Sequence, residues 1–141
     1  MLLAFTLNIL AVGTVVIVHY TCLERLSQLM PRLRFRYRFR IVVGLFGAIL
    51  AHIVEVWLFA AVYFLMIRSG DFGTLLGAPE PDLLNCVYFS FSTYSTVGYG
   101  DLVPVGQLRF LAGLEGLTGL VLITWTASFM YYEMSRYWSN Q

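Results

Sequence analysis

Three apolar stretches dominate this chain, roughly Leu2 to Cys22, Ile41 to Ile67 and Leu108 to Tyr132. Each reaches the length of about 20 residues that crosses a hydrocarbon core of roughly 30 Å. In lipid every peptide group has to be paired within the chain, so such stretches fold as helices. Composition agrees: 59% of the residues are hydrophobic and 12% are charged, whereas about 25% are charged in soluble domains. The residues left over are too few for a separate soluble domain, which needs at least about 50. The expectation is an all-α membrane protein, with any sensing element inside the membrane part or on another chain.

Charge sets the orientation. All nine basic residues are arginine, and Arg25, Arg32, Arg34, Arg36, Arg38 and Arg40 lie between the first two stretches. By the positive-inside rule that linker is cytoplasmic. The N-terminus is then outside, the segment from Arg68 to Gln107 faces outward and the C-terminus is cytoplasmic, in a multi-pass protein of the cell membrane. The first stretch lacks a positive n-region and is longer than the apolar core of a signal peptide, which argues against cleavage. Cys22 and Cys86 point to neither a disulfide nor a metal site.

The expected elements are a helix over 1–22, an Arg-rich linker over 23–40 and a second helix over 41–67. A Gly- and Pro-rich loop follows from Gly73 to Pro81. Asp82 stands directly after Pro81 where a helix N-cap belongs. Residues 83–95, LLNCVYFSFSTYS, are apolar and aromatic but too short to span, which suits a re-entrant helix. The backbone after such a helix cannot face lipid and has to line a water-filled or ion-filled path. An inner helix over 107–134 completes the chain.

Thr96-Val97-Gly98-Tyr99-Gly100-Asp101 stands at that position. The string, with a half-helix before it and a spanning helix on either side, resembles the pore module of the potassium channel superfamily over 41–134. The resemblance implies a two-transmembrane-helix pore with a selectivity filter at Thr96, Val97, Gly98, Tyr99 and Gly100, plus one additional N-terminal helix. Backbone carbonyls replace the hydration shell of a potassium ion. Pointing successive carbonyls at one axis needs alternating backbone handedness, which Gly98 and Gly100 accept at no steric cost. One strand supplies one quarter of each carbonyl ring, so four copies close around the axis as a homotetramer. The implied cofactors are none beyond bound potassium ions, and catalytic residues are none.

The resemblance also implies that the Val97 and Tyr99 side chains point away from the ions. It pairs Tyr88, at a position where family members often carry Trp, with Asp101 in a brace behind the filter. Ser92 occupies a position where some members carry an acid. Glu115 lies about nine residues into the inner helix, roughly 13 Å below its start, with Ser92, Ser95 and Thr96 as expected partners. The spacing of Glu115 and Gly119 is similar to that in bacterial inward-rectifier-type channels. Filter support is thus assigned to Tyr88, Ser92, Asp101 and Glu115, and an inner-helix bend to Gly116 and Gly119. Gly113, Gly116, Thr118 and Gly119 also form a small-residue face suited to close packing. Val121, Thr124, Ser128 and Tyr132 recur at helical spacing and are assigned to the cavity and gate, with helix contact as the plain alternative.

His52 and Glu55 share one face of the second helix at i and i+3. Two polar groups alone make a poor metal site, so bonds to each other or to neighbouring helices are expected, and His19 is read as an interfacial polar residue. Arg32, Arg34, Arg36, Arg38 and Arg40 alternate with apolar or aromatic residues. Lying between spans, they are no voltage sensor. They form a lipid-facing basic segment for anionic headgroups, each contact worth about 1 kcal/mol, or else a plain topology anchor. Beyond the bilayer and its own copies, the expected partner is a separate regulatory subunit, and no nucleic acid. The function expected is passive potassium conduction. The alternative is a nonconducting accessory subunit of a channel or potassium-uptake complex. An intact Tyr and second Gly argue against a weakly selective channel, and the single short repeat argues against a transporter subunit.

Overall fold

The computed structural model describes residues 2–32 and 37–138. Helix α1 (Leu2–Leu29) leads through a 3-10 turn at Met30–Arg32 towards α2 (Tyr37–Ser69). A short strand β1 (Leu75–Leu76), helix α3 (Leu83–Tyr94), strand β2 (Val103–Pro104) and helix α4 (Leu108–Trp138) follow. Three segments, Leu2–Arg32, Phe39–Ser69 and Leu108–Arg136, are long and apolar enough to cross a membrane. The protein is therefore a multi-pass membrane protein of all-α class.

The long helices overrun the ends expected of them. Helix α1 continues past Cys22 because Leu23 and Met30, both buried, hold the extension against α2. The Leu26 and Met30 side chains fill the space over Gly47 and Gly44. Helix α2 begins at Tyr37 and not at Ile41. Of the expected linker over 23–40, residues 23–29 continue α1, Arg32 closes the 3-10 turn, Arg38 and Arg40 stand in the opening turns of α2, and Arg34 and Arg36 lie outside the described residues. At 33 residues, α2 is about 50 Å long. That exceeds the hydrocarbon thickness, so its ends reach the headgroups or the helix tilts.

The core lies where α2, α3 and the upper part of α1 and α4 meet. Phe59, Tyr63, Met66, Cys86, Leu108, Leu111 and Leu122 are buried there. Strands β1 and β2 pair antiparallel, Leu75 with Pro104 and Leu76 with Val103. The loop between α2 and α3 is thereby docked on the segment that follows residue 100, helped by Val105 N–H donating to Thr74 O at 2.9 Å and Gln107 N–H to Phe72 O at 2.7 Å. Helix α1 packs against both α2 and α4.

Candidate ion-conduction site

Helix α3 starts because Asp82, in extended conformation, accepts the Asn85 backbone N–H at 2.7 Å, which satisfies one orphan donor of the first turn. It ends at Ser95, whose N–H donates to Phe91 O at 3.1 Å. The backbone then alternates in hand. Thr96 (φ 60°), Gly98 (φ 55°) and Gly100 (φ 80°) are left-handed, while Val97 and Tyr99 are not. The two glycines take this region without steric penalty. Thr96 is β-branched and is the one described non-glycine residue with positive φ, a conformation that costs about 1–3 kcal/mol and collects at functional sites. From sequence the alternation is legible only at the glycines, although a period of two also reaches Thr96.

Ser92 holds this segment with two bonds. Its carbonyl accepts Gly98 N–H at 3.1 Å and its hydroxyl accepts Tyr99 N–H at 3.2 Å. Tyr88 donates its hydroxyl to Asp101 Oδ2 at 2.8 Å and stacks on the Tyr99 ring, centroids 6.3 Å apart and planes 7° from parallel. In the single chain Ser95 to Asp101 are all exposed, Tyr99 at 70%.

Glu115 is fully buried, but its partners differ from those expected. Tyr63 donates its hydroxyl to Glu115 Oε2 at 2.7 Å, and Ser90 Oγ touches Glu115 Oε1. The correction follows from helix phase: Ser90 and Ser92 are two residues and about 200° apart on α3, so the hydroxyl facing Tyr99 N–H and the one facing Glu115 are on opposite sides. Ser90 Oγ also lies 2.9 Å from Val56 O. One hydroxyl proton cannot serve both acceptors. Were Glu115 to carry a proton, it could donate to Ser90 and Ser90 to Val56.

A second buried network stands at the end of α3. Tyr94, its last residue, donates to Glu55 Oε2. His19 Nδ1 lies 2.8 Å from Glu55 Oε1, and His52 Nδ1 lies 3.1 Å from Glu55 Oε2 and 2.9 Å from the Tyr94 hydroxyl. Thr126 Oγ reaches both rings, at 3.0 Å from His52 Nε2 and 3.4 Å from His19 Nε2. The expectation of bonds to neighbouring helices holds for His52 and Glu55. The reading of His19 as interfacial does not, since the residue is fully buried between helices.

On α4, a Cβ at Gly119 would overlap the Tyr94 carbonyl oxygen, and one at Gly116 would stand 3.5 Å from Thr93 O. Both glycines sit inside α4; at Gly119 the missing side chain gives close approach to α3, whereas at Gly116 a Cβ would make only ordinary contact. Val121, Thr124, Ser128 and Tyr132 are exposed in the single chain. The Thr124 and Ser128 hydroxyls turn back to Leu120 O and Thr124 O.

A family model described as "Ion channel" matches residues 51–135, more than half of the chain. The chain belongs to that ion channel family. Its module is the two-helix potassium-channel type, carrying one additional N-terminal helix. An inward rectifier potassium channel of Paramagnetospirillum magnetotacticum, Kirbac3.1, is 34% identical over 80 residues, which are 56% of this chain and 25% of that protein. The chain thus spans about a quarter of the relative it matches. No solved structure matches it significantly. Tyr63, Ser90, Tyr94 and Thr126 all lie within the matched residues, and none of the four stands out from sequence alone. Ser90 comes nearest, since a hydroxyl on the face of α3 away from Ser92 needs a buried partner.

Proposed function

We propose that four copies of this channel subunit close around an axis lined by Thr96, Val97, Gly98, Tyr99 and Gly100, and conduct potassium selectively and passively across the cell membrane. The observation that carries this reading is the left-handed backbone at Thr96, Gly98 and Gly100 in a segment that is uncovered in the single chain. Such alternation turns successive carbonyls to one side, where they can replace an ion's hydration shell. Irregular backbone at membrane depth must line a filled path or be covered by protein, and three further copies supply both. The similarity to an inward rectifier potassium channel supports the choice of ion.

In this reading Val121, Thr124, Ser128 and Tyr132 line the cavity and gate below the filter. The partial negative charge at the C-terminal end of α3 stabilises a cation waiting there. Arg32, Arg34, Arg36, Arg38 and Arg40 lie on the cytoplasmic side against anionic headgroups, the N-terminus is outside, and a separate subunit supplies regulation. The test is the reversal potential of the purified protein in a planar bilayer with potassium on one side and sodium on the other. A value near the potassium equilibrium potential is expected. A value near zero overturns selectivity, and absence of current across lipids, pH and voltages favours the accessory-subunit alternative.

A further inference from the structure

The pore accounts for Tyr94 only as the last residue of α3, and it does not account for His19, His52 and Glu55. These are three ionisable residues from two different spans, with Glu55 and His19 fully buried. Ionisable groups at membrane depth are expensive and are kept where they bind or pair. One ligand atom from each of the three lies within 4.8 Å of the others. The sequence by itself offers only His52 and Glu55, which are too few for a metal; folding adds His19 from the helix that the two-helix module lacks.

A count of donors and acceptors leaves the network incomplete. With Glu55 ionised, both Nδ1 atoms donate towards it, His19 at 2.8 Å and His52 at 3.1 Å. Both Nε2 atoms are then acceptors, and both face the one Thr126 hydroxyl, which has a single proton to give. One ring nitrogen is left facing an oxygen lone pair. One added positive charge repairs this. A metal bound at the two Nδ1 atoms moves each ring proton to Nε2, and both then donate to the two lone pairs of Thr126. That is the arrangement found around metal-bound histidines, whose far N–H is fixed by an outer oxygen.

We propose that His19, His52 and Glu55 form a binding site for one divalent transition-metal ion per chain, with zinc the simplest occupant. Two imidazole nitrogens and a carboxylate are the ligand types zinc takes, at about 2.0–2.2 Å, with three protein ligands leaving a fourth position open. That position falls beside the Tyr94 hydroxyl, which touches both Glu55 and His52. The ion joins α1 to α2 and stands against the last residue of α3, so the additional helix is tied to the base of the filter through it. An extra proton on one imidazole also completes the count, and the experiment separates the two.

Cobalt is the probe. The full chain, purified in detergent and stripped with chelator, is titrated with Co2+ and followed by visible absorption and by metal content after desalting. The site predicts one Co2+ per chain with the intense visible bands of a low-coordinate ion, displaced by Zn2+. A variant carrying both His52→Ala and Glu55→Gln should lose this uptake. Because that variant removes buried partners and can fail to fold, His19→Cys provides a second test. It keeps a ligand in place and should retain Co2+ while adding a near-ultraviolet thiolate charge-transfer band that the wild type lacks. Absence of stoichiometric uptake by the wild type overturns the proposal and leaves the proton in the metal's place. So does a His19→Cys protein that binds Co2+ without the new band.

Discussion

The hydroxyl of Tyr88 donates to the Asp101 carboxylate at 2.8 Å, which links the end of the segment from Thr96 to Asp101 to α3. The carboxylate holds the Tyr88 hydroxyl above the usual phenol range by accepting its proton in a hydrogen bond. A raised pKa means that the bond contributes fully below the ordinary phenol value of about 10 and is lost only as pH rises past the higher folded value. Tyr88→Phe is therefore expected to speed the decay of current several-fold, by the same factor at pH 6 as at pH 8. A wild-type decay rate that itself climbs between those pH values would contradict this brace.

Gly98 sits at φ 55° and donates to Ser92 O. Gly98→Asp places a Cβ and a charge where neither fits the alternating backbone, while open space around the position spares the helix packing. Potassium flux into liposomes should fall to background, with the protein still folded by circular dichroism. Flux that persists removes the filter assignment.

Glu115, Tyr63 and Ser90 meet in a closed pocket with Val56 O. If Glu115 carries its proton, Glu115→Gln keeps an acceptor for Tyr63 and a donor for Ser90. Thermal stability should then change by less than about 1 kcal/mol. Glu115→Leu leaves two buried hydroxyls without their partner and should cost about 2–3 kcal/mol. Equal losses for both substitutions in a thermal melt would show that the negative charge itself is required.

Gly119 faces the Tyr94 carbonyl with no room for a side chain. Gly119→Val forces α4 away from α3 and is expected to destabilise the protein by about 1–3 kcal/mol, as overpacking does. Gly13→Ala in α1, which meets nothing within 4 Å, is the control and should not lower the melting temperature, since alanine suits a helix interior at least as well as glycine. Similar melts for the two variants would refute the close approach.

The amino-acid sequence by itself determined the local features of this channel. Span length follows from the number of consecutive apolar residues, the start of α3 follows from Asp82 after Pro81, and backbone handedness follows from glycines spaced by two. Each is a property of a short segment, so no distant contact is needed to read it. Tertiary structure decided which faces meet. Helices that are apolar around most of their circumference carry no strong stripe to set their rotation, so nothing local tells whether Glu115 turns towards Ser92 or towards Ser90 and Tyr63. The meeting of His19 with Glu55 spans 36 residues and that of Tyr63 with Glu115 spans 52. Such pairings arise because a buried polar group without a partner costs more than the packing can return, and only the assembled helices supply that partner.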